Sequence, residues 1–194
     1  MKLRLMSISQ IAATVLFRLL RPVYGNVTLH DQSPRFDPKQ RYIFISNHRS
    51  KLDGPAIFSV FSLQSLWHIA PMKFMTASSI YHSAFRPLLA SFGCYPHKID
   101  GIDIIDYSCN LMDRGCNLMI FPEGKRVTRS QSEPKSGVIR LISQTKQYHP
   151  HIILVRIDWQ RKGWRRFGVI TVTPAPPNLD TSDARHIMDA IYQL

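Results

Sequence analysis

Three runs of apolar residues, at 42–45, 118–121 and 152–155, carry no polar interruption and are too short to be buried helices. Unbroken runs of that length read as strands buried on both faces, as in a sheet with helices packed on either side. Apolar residues at helical spacing recur between and after them, over 56–63, 102–114, 137–146 and 182–192. The alternation predicts an α/β domain with a central, mostly parallel or mixed sheet flanked by helices, preceded by an N-terminal helical element. In detail the pattern gives strands at 26–30, 66–70, 116–121 and 152–157, one or two helices over 71–92, a hairpin closed by 169–173, and a terminal helix with Ser182 as its cap. Met72, Met75 and Phe85 in the 71–92 stretch are either ordinary core or the lining of an apolar groove. A length of 194 residues with 44% hydrophobic content suits one sizeable core. We divide the chain into an N-terminal amphipathic helix, 1–24, and a single domain, 25–194.

Two of the apolar runs open onto polar turns. After Tyr42-Ile43-Phe44-Ile45 come Ser46-Asn47-His48-Arg49-Ser50-Lys51-Leu52-Asp53, then Gly54-Pro55 and a helix. A His on a turn with an Asp five positions later can bring imidazole and carboxylate together. The Asp then fixes the ring tautomer and stabilises the imidazolium, leaving the other nitrogen as a base. A plainer account makes Asp53 the N-cap of a helix with Pro in its first turn. In a chain with eight His, a His-x4-Asp pair is a weak signal alone. Leu118-Met119-Ile120-Phe121 then runs into Pro122-Glu123-Gly124-Lys125-Arg126, placing a carboxylate and two cations on one turn at a sheet edge.

Together, Asn47-His48-x-Ser50-x-x-Asp53 and Phe121-Pro122-Glu123-Gly124-x-Arg126 resemble the two signature blocks of the glycerolipid acyltransferases, of the lysophosphatidic acid acyltransferase type. They stand in the family's order and each ends a predicted strand. Gly93-Cys94-Tyr95-Pro96-His97-Lys98 is similar to the family's middle block, with Lys98 where an Arg is expected. Lys125 stands in place of the usual Thr, Lys135-Ser136-Gly137 matches a basic-Gly step, and Leu154 replaces the Pro of the last block. The resemblance covers roughly residues 40–160.

The resemblance implies transfer of a fatty acyl group from a thioester, acyl-CoA or acyl carrier protein, to a hydroxyl of a lysophospholipid such as 1-acylglycerol-3-phosphate. It implies His48 as the base and Asp53 as its orienting partner. Glu123, Gly124, Lys125 and Arg126 then form the acceptor site, with Lys98 as a further cation near the acceptor phosphate. A thiolate leaves readily, so no strong general acid is required, and no cofactor is expected beyond the thioester co-substrate. His48 and Asp53 alone make no convincing metal ligand set. There is no Gly-x-Ser-x-Gly elbow for an acyl-serine intermediate. Two rival classes remain: a non-catalytic basic lipid-binding module, and a thioester or lipid hydrolase using the same His–Asp pair.

Lys and Arg number 25 against 13 acidic residues, a formal net charge of +12, so an anionic partner is expected. Zinc-finger spacing and aromatic–basic RNA-binding signatures are absent, which sets nucleic acid aside in favour of an anionic membrane surface. Residues 3–21 read as a helix. Leu5, Ile8, Ala12, Val15 and Leu19 form one stripe, and Ser7, Gln10, Thr14, Arg18 and Arg21 another. Arg18 interrupts it too early for a transmembrane span, and no small-x-small site follows that would make it a cleaved signal. It is either an interfacial helix or one packed on the core. The segment 159–167, with Trp159, Trp164, Arg165 and Arg166, reads as a hairpin tip suited to a lipid headgroup layer, or as an ordinary exposed turn. Cys94, Cys109 and Cys116 match neither a zinc nor a disulfide pattern and are expected reduced and buried. These features predict a peripheral protein at the cytoplasmic face of a membrane.

Overall fold

Helices cover both faces of a seven-stranded mixed sheet. The computed structural model describes residues 2–20, 26–31, 35–84, 86–127, 133–162 and 165–194. Its elements in chain order are α1 (Lys2–Leu19), β1 (Asn26–Asp31), β2 (Tyr42–Ser46), α2 (Asp53–Val60), α3 (Leu63–Ile69), β3 (Met72–Thr76), α4 (Ser78–Tyr81) and α5 (Arg86–Ser91). They continue with β4 (Cys94–Pro96), α6 (Ile104–Asp113), β5 (Asn117–Ile120), α7 (Gly137–Thr145), a 3-10 turn (Lys146–Tyr148), β6 (His151–Lys162), β7 (Arg165–Pro174) and α8 (Ala184–Gln193).

The strand order is β1-β7-β6-β2-β5-β3-β4. Five strands, β6, β2, β5, β3 and β4, run parallel, β7 is antiparallel to β6, and β1 pairs in parallel with β7. In the register Ile43 faces Leu118 and Ile152, and Ile45 faces Ile120 and Leu154. Side chains alternate across a strand. Ile43, Ile45, Leu118, Ile120 and Leu154 therefore pack on Leu111, Leu141 and Ile187 of α6, α7 and α8. Phe44, Met119, Ile153 and Val155 pack on Ile57, Leu66 and Ile69 of α2 and α3. Both faces are dry, which is why these runs show no alternation. Five parallel strands deliver their C-terminal ends to one edge, where α/β sheets bind ligands.

The stretch 66–70 is helical, contrary to the strand its sequence suggests. Ser62 caps α3 by accepting from the Ser65 N–H at 3.0 Å, Leu66 and Ile69 are buried, and Trp67 is 63% exposed. The strand lies later, at β3, so 71–92 holds a strand as well as α4 and α5. The last helix is capped by Asp183, whose carboxylate accepts from the Arg185 N–H at 2.8 Å, rather than by Ser182. Cys116 is buried, while Cys94 and Cys109 are half-buried, and all three are free thiols.

The N-terminal helix docks through its polar stripe. Gln10, 4% exposed, accepts from the Met72 N–H at 3.0 Å and donates to the Phe92 carbonyl at 2.9 Å. Arg18 donates to the Ser59 carbonyl at 3.0 Å and to that of Phe61, closing the C-terminal end of α2. The close approach needs Gly93, at φ +87°: a Cβ there would sit 2.3 Å from the Met72 carbonyl oxygen. The apolar stripe is left outward, with Leu5 57%, Ile8 54%, Leu16 58% and Leu19 72% exposed. No helix among the described residues is long and apolar enough to cross a membrane.

Candidate active site

The turn after β2 is held before any catalytic group is considered. Asn47, fully buried, donates from Nδ2 to the Ile157 carbonyl at 2.9 Å and accepts from the Ile157 N–H at 2.7 Å, tying the turn to β6. The chain then folds back, so that Asp53, the first residue of α2, faces its own turn. Asp53 Oδ2 accepts from the Arg49 N–H at 2.6 Å, the Ser50 N–H at 2.8 Å and His48 Nδ1 at 2.8 Å. Asp53 is therefore not an N-cap. The cap position is Leu52, with no side-chain bond.

Asp53 is completely buried, and its other oxygen accepts from the indole N–H of Trp159 at 2.7 Å. A carboxylate supplied with four donors is fixed in place and acts as acceptor towards the ring. His48 Nδ1 consequently carries the proton, and Nε2 presents a lone pair. The His48 side chain is 24% exposed, and Nε2 has no hydrogen-bond partner among the described residues. Phe121 lies against the ring, centroids 4.5 Å apart, limiting its swing. Trp159 does not decorate a hairpin tip. The tip itself, Gly163 and Trp164, lies outside the described residues, as do the side chains of Arg165 and Arg166.

The second turn, after β5, is strapped to the first. Glu123 is 2% exposed; its Oε2 accepts the His48 N–H at 2.9 Å and its Oε1 accepts the Tyr192 hydroxyl of α8. The Val127 N–H donates to the His48 carbonyl at 2.8 Å, and Arg49 Nη1 donates to the Val127 carbonyl at 2.9 Å. Gly124, at φ +64°, is crossed by the stem of Lys135: a Cβ there would meet Cε at 2.7 Å. Glu123 is thus committed to organising donors inside the protein. Lys125 and Arg126 are exposed beside it, and among the described residues neither pairs with a carboxylate.

Lys98 follows β4 on the same edge of the sheet and is exposed. At ~4.8 Å per strand it lies about 14 Å from the end of β2. The edge therefore joins His48 and Asp53 in contact, Glu123 behind them, and Gly124, Lys125 and Arg126 alongside, with Lys98 apart from the cluster. A separate cleft of about 670 Å³, lined in part by Arg35, Tyr42, His151 and Pro174, lies at the opposite edge and shares no residue with this site. Trp159, Tyr192 and Arg49 belong to the constellation but carry no motif. Arg49 adjoins His48 in sequence, the one local hint; Trp159 and Tyr192 arrive from β6 and α8.

An imidazole held on a carboxylate, beside cations that pair with no carboxylate among the described residues, can remove a proton from a hydroxyl held by an anionic neighbour. Comparison with known proteins gives this chemistry a family. The family model described as Acyltransferase matches residues 26–174. Among solved structures, the chain is similar to the 1-acyl-sn-glycerophosphate (LPA) acyltransferase PlsC from Thermotoga maritima, with a TM-score of 0.66 at 14% identity, over 97% of this chain and 75% of that one. That likeness extends the shared architecture across nearly the whole chain, α1 and α8 included. With the matched region running from β1 to the end of β7 and both the His48 and the Glu123 turns inside it, the protein belongs to the Acyltransferase family.

Proposed function

We propose that the protein transfers a fatty acyl group from acyl-CoA or acyl carrier protein to a hydroxyl of a lysophospholipid such as 1-acylglycerol-3-phosphate. The observation that carries this reading is His48, with Nδ1 bound to the buried Asp53 at 2.8 Å and Nε2 open at a cation-flanked edge. The acceptor hydroxyl gives its proton to Nε2 as its oxygen attacks the thioester carbonyl. The tetrahedral adduct collapses with cleavage of the C–S bond, and the imidazolium returns the proton to the departing thiolate. A base placed in this way contributes about 10²- to 10⁴-fold. Arg126 binds the acceptor's anionic group through its planar fork, with Lys125 as a point charge beside it and Lys98, farther along the edge, adding to the positive field. No metal or further cofactor takes part in these steps.

The reaction takes place on a membrane. The helices that α1 packs against also expose apolar side chains, with Leu63 50%, Trp67 63% and Leu88 51% exposed. An apolar face of this kind, on a chain of net charge +12, suits the interface of an anionic bilayer, the source of the acceptor. Peripheral attachment at the cytoplasmic face agrees with three free thiols.

The test is incubation of the purified protein with a panel of lysolipids and both donor types, read by mass spectrometry. A diacyl product that needs both substrates is expected. Thiol release that ignores the acceptor would assign the site to hydrolysis, and binding without turnover would leave a lipid-binding module.

A further inference from the structure

Tyr192 stands near the end of α8, beyond the residues 26–174 that the family model matches. Its hydroxyl nonetheless donates to Oε1 of Glu123, whose Oε2 accepts the backbone N–H of His48. Glu123 is 2% exposed, so each oxygen has to find its donor within the protein. The Tyr192 ring makes a second contact with the same turn, since the Arg49 guanidinium lies 5.2 Å from its centroid. Arg49 donates to the Val127 carbonyl, and the Val127 N–H donates to the His48 carbonyl. One side chain therefore touches both strands of the strap joining the two catalytic turns.

The helix that carries it is anchored at both ends. Arg156, itself paired with Asp158 at 2.7 Å, donates to the Tyr192 carbonyl at 2.6 Å. Near its other end Arg185 pairs with Glu133 at the surface. Burial, and then the neighbouring Glu123 carboxylate, push the hydroxyl's pKa up, so it stays a donor throughout the working range of pH.

We infer that Tyr192 is a positioning residue for acyl transfer, acting through Glu123 to fix the backbone of His48 and hence the place of its imidazole. The inference rests on the proposed reaction. Without the hydroxyl, a buried carboxylate oxygen loses its donor, Glu123 turns to find another, and the His48 amide loses its acceptor. Displacements of about 1 Å in a catalytic group can cost about 10²-fold in rate.

Tyr192→Phe removes the hydroxyl and keeps the ring, its packing and the Arg49 contact. We expect kcat to fall about tenfold, with KM for donor and acceptor unchanged within about twofold. Amide hydrogen exchange should quicken at His48 while the core strands keep their protection. Combined with Glu123→Gln, the substitution should add nothing to the loss that Glu123→Gln causes alone, since the tyrosine hydroxyl reaches His48 only through Glu123. Unchanged kcat and unchanged His48 exchange would overturn the inference. A loss of kcat accompanied by faster exchange throughout and a lowered Tm would also overturn it, because a merely structural tyrosine behaves that way. Absence of transfer by the unsubstituted protein in the same assay refutes the proposed function and this role with it, whereas full transfer by both proteins refutes the role alone.

Discussion

Asp53 Oδ2 carries three donors, two of them backbone, whereas Oδ1 has the Trp159 indole alone. A hydrogen bond to a charged group contributes about 1.5–3 kcal/mol. Trp159→Phe keeps an aromatic ring at the position and removes this bond, so kcat should fall by about tenfold or more with little change in acceptor KM. Steady-state kinetics that instead show a pure KM effect would place Trp159 in substrate binding. Arg126 predicts the opposite split. Exposed and without a carboxylate partner among the described residues, it is free to bind an anion. Arg126→Lys keeps the charge and loses the fork, so acceptor KM should rise while donor KM stays put. An unchanged acceptor KM would remove Arg126 from the site. His48, Asp53 and the Glu123 turn were legible in the sequence because each set is local, within one turn. Trp159 and Tyr192 were not, because their partners stand 106 and 69 residues away and no spacing records such a meeting.

Among the elements, α1 separates the two things an amphipathic pattern can mean. The sequence shows a polar and an apolar stripe, and the ordinary expectation sends the polar one to water. Gln10 and Arg18 reverse it, because the open backbone at Met72, Phe92 and Phe61 offers polar groups that need partners. The apolar stripe is then available to lipid. Each Leu moved from water into an apolar layer contributes about 1.5–3 kcal/mol. Replacing Leu16 and Leu19 by Ser should therefore weaken binding to anionic vesicles by about 10²-fold or more and leave the fold intact, since both are exposed. Vesicle sedimentation measures this, and unchanged binding would return the helix to a purely structural role. The misreading of 66–70 has a related cause. At seven residues, α3 is too short for helical periodicity to outweigh an apolar run, and its cap, Ser62, lies outside the run that was read.

For the molecule as a whole, five parallel strands bring turns from distant parts of the chain to one edge, and both helical layers serve to keep them there. The unbroken apolar runs made the layered α/β architecture readable. Apart from the β6–β7 hairpin, the strand order was not, since parallel pairing leaves no turn signal between partners. The 25 cations against 13 acids raised the expectation of an anionic partner without locating a site for it. The structure puts Lys125, Arg126 and Lys98 on the edge that carries His48. His48 is proposed to drive acyl transfer from a thioester to a lysolipid hydroxyl at that edge, and the decisive measurement follows thiol release and diacyl product together, in the unsubstituted protein and in His48→Ala, with and without lysolipid. If His48 is the base, thiol and product appear one for one only when lysolipid is present, and His48→Ala loses about 10²-fold or more with thermal unfolding unchanged. Turnover in His48→Ala within a few-fold of the unsubstituted protein, or thiol release at the same rate without lysolipid, would contradict it.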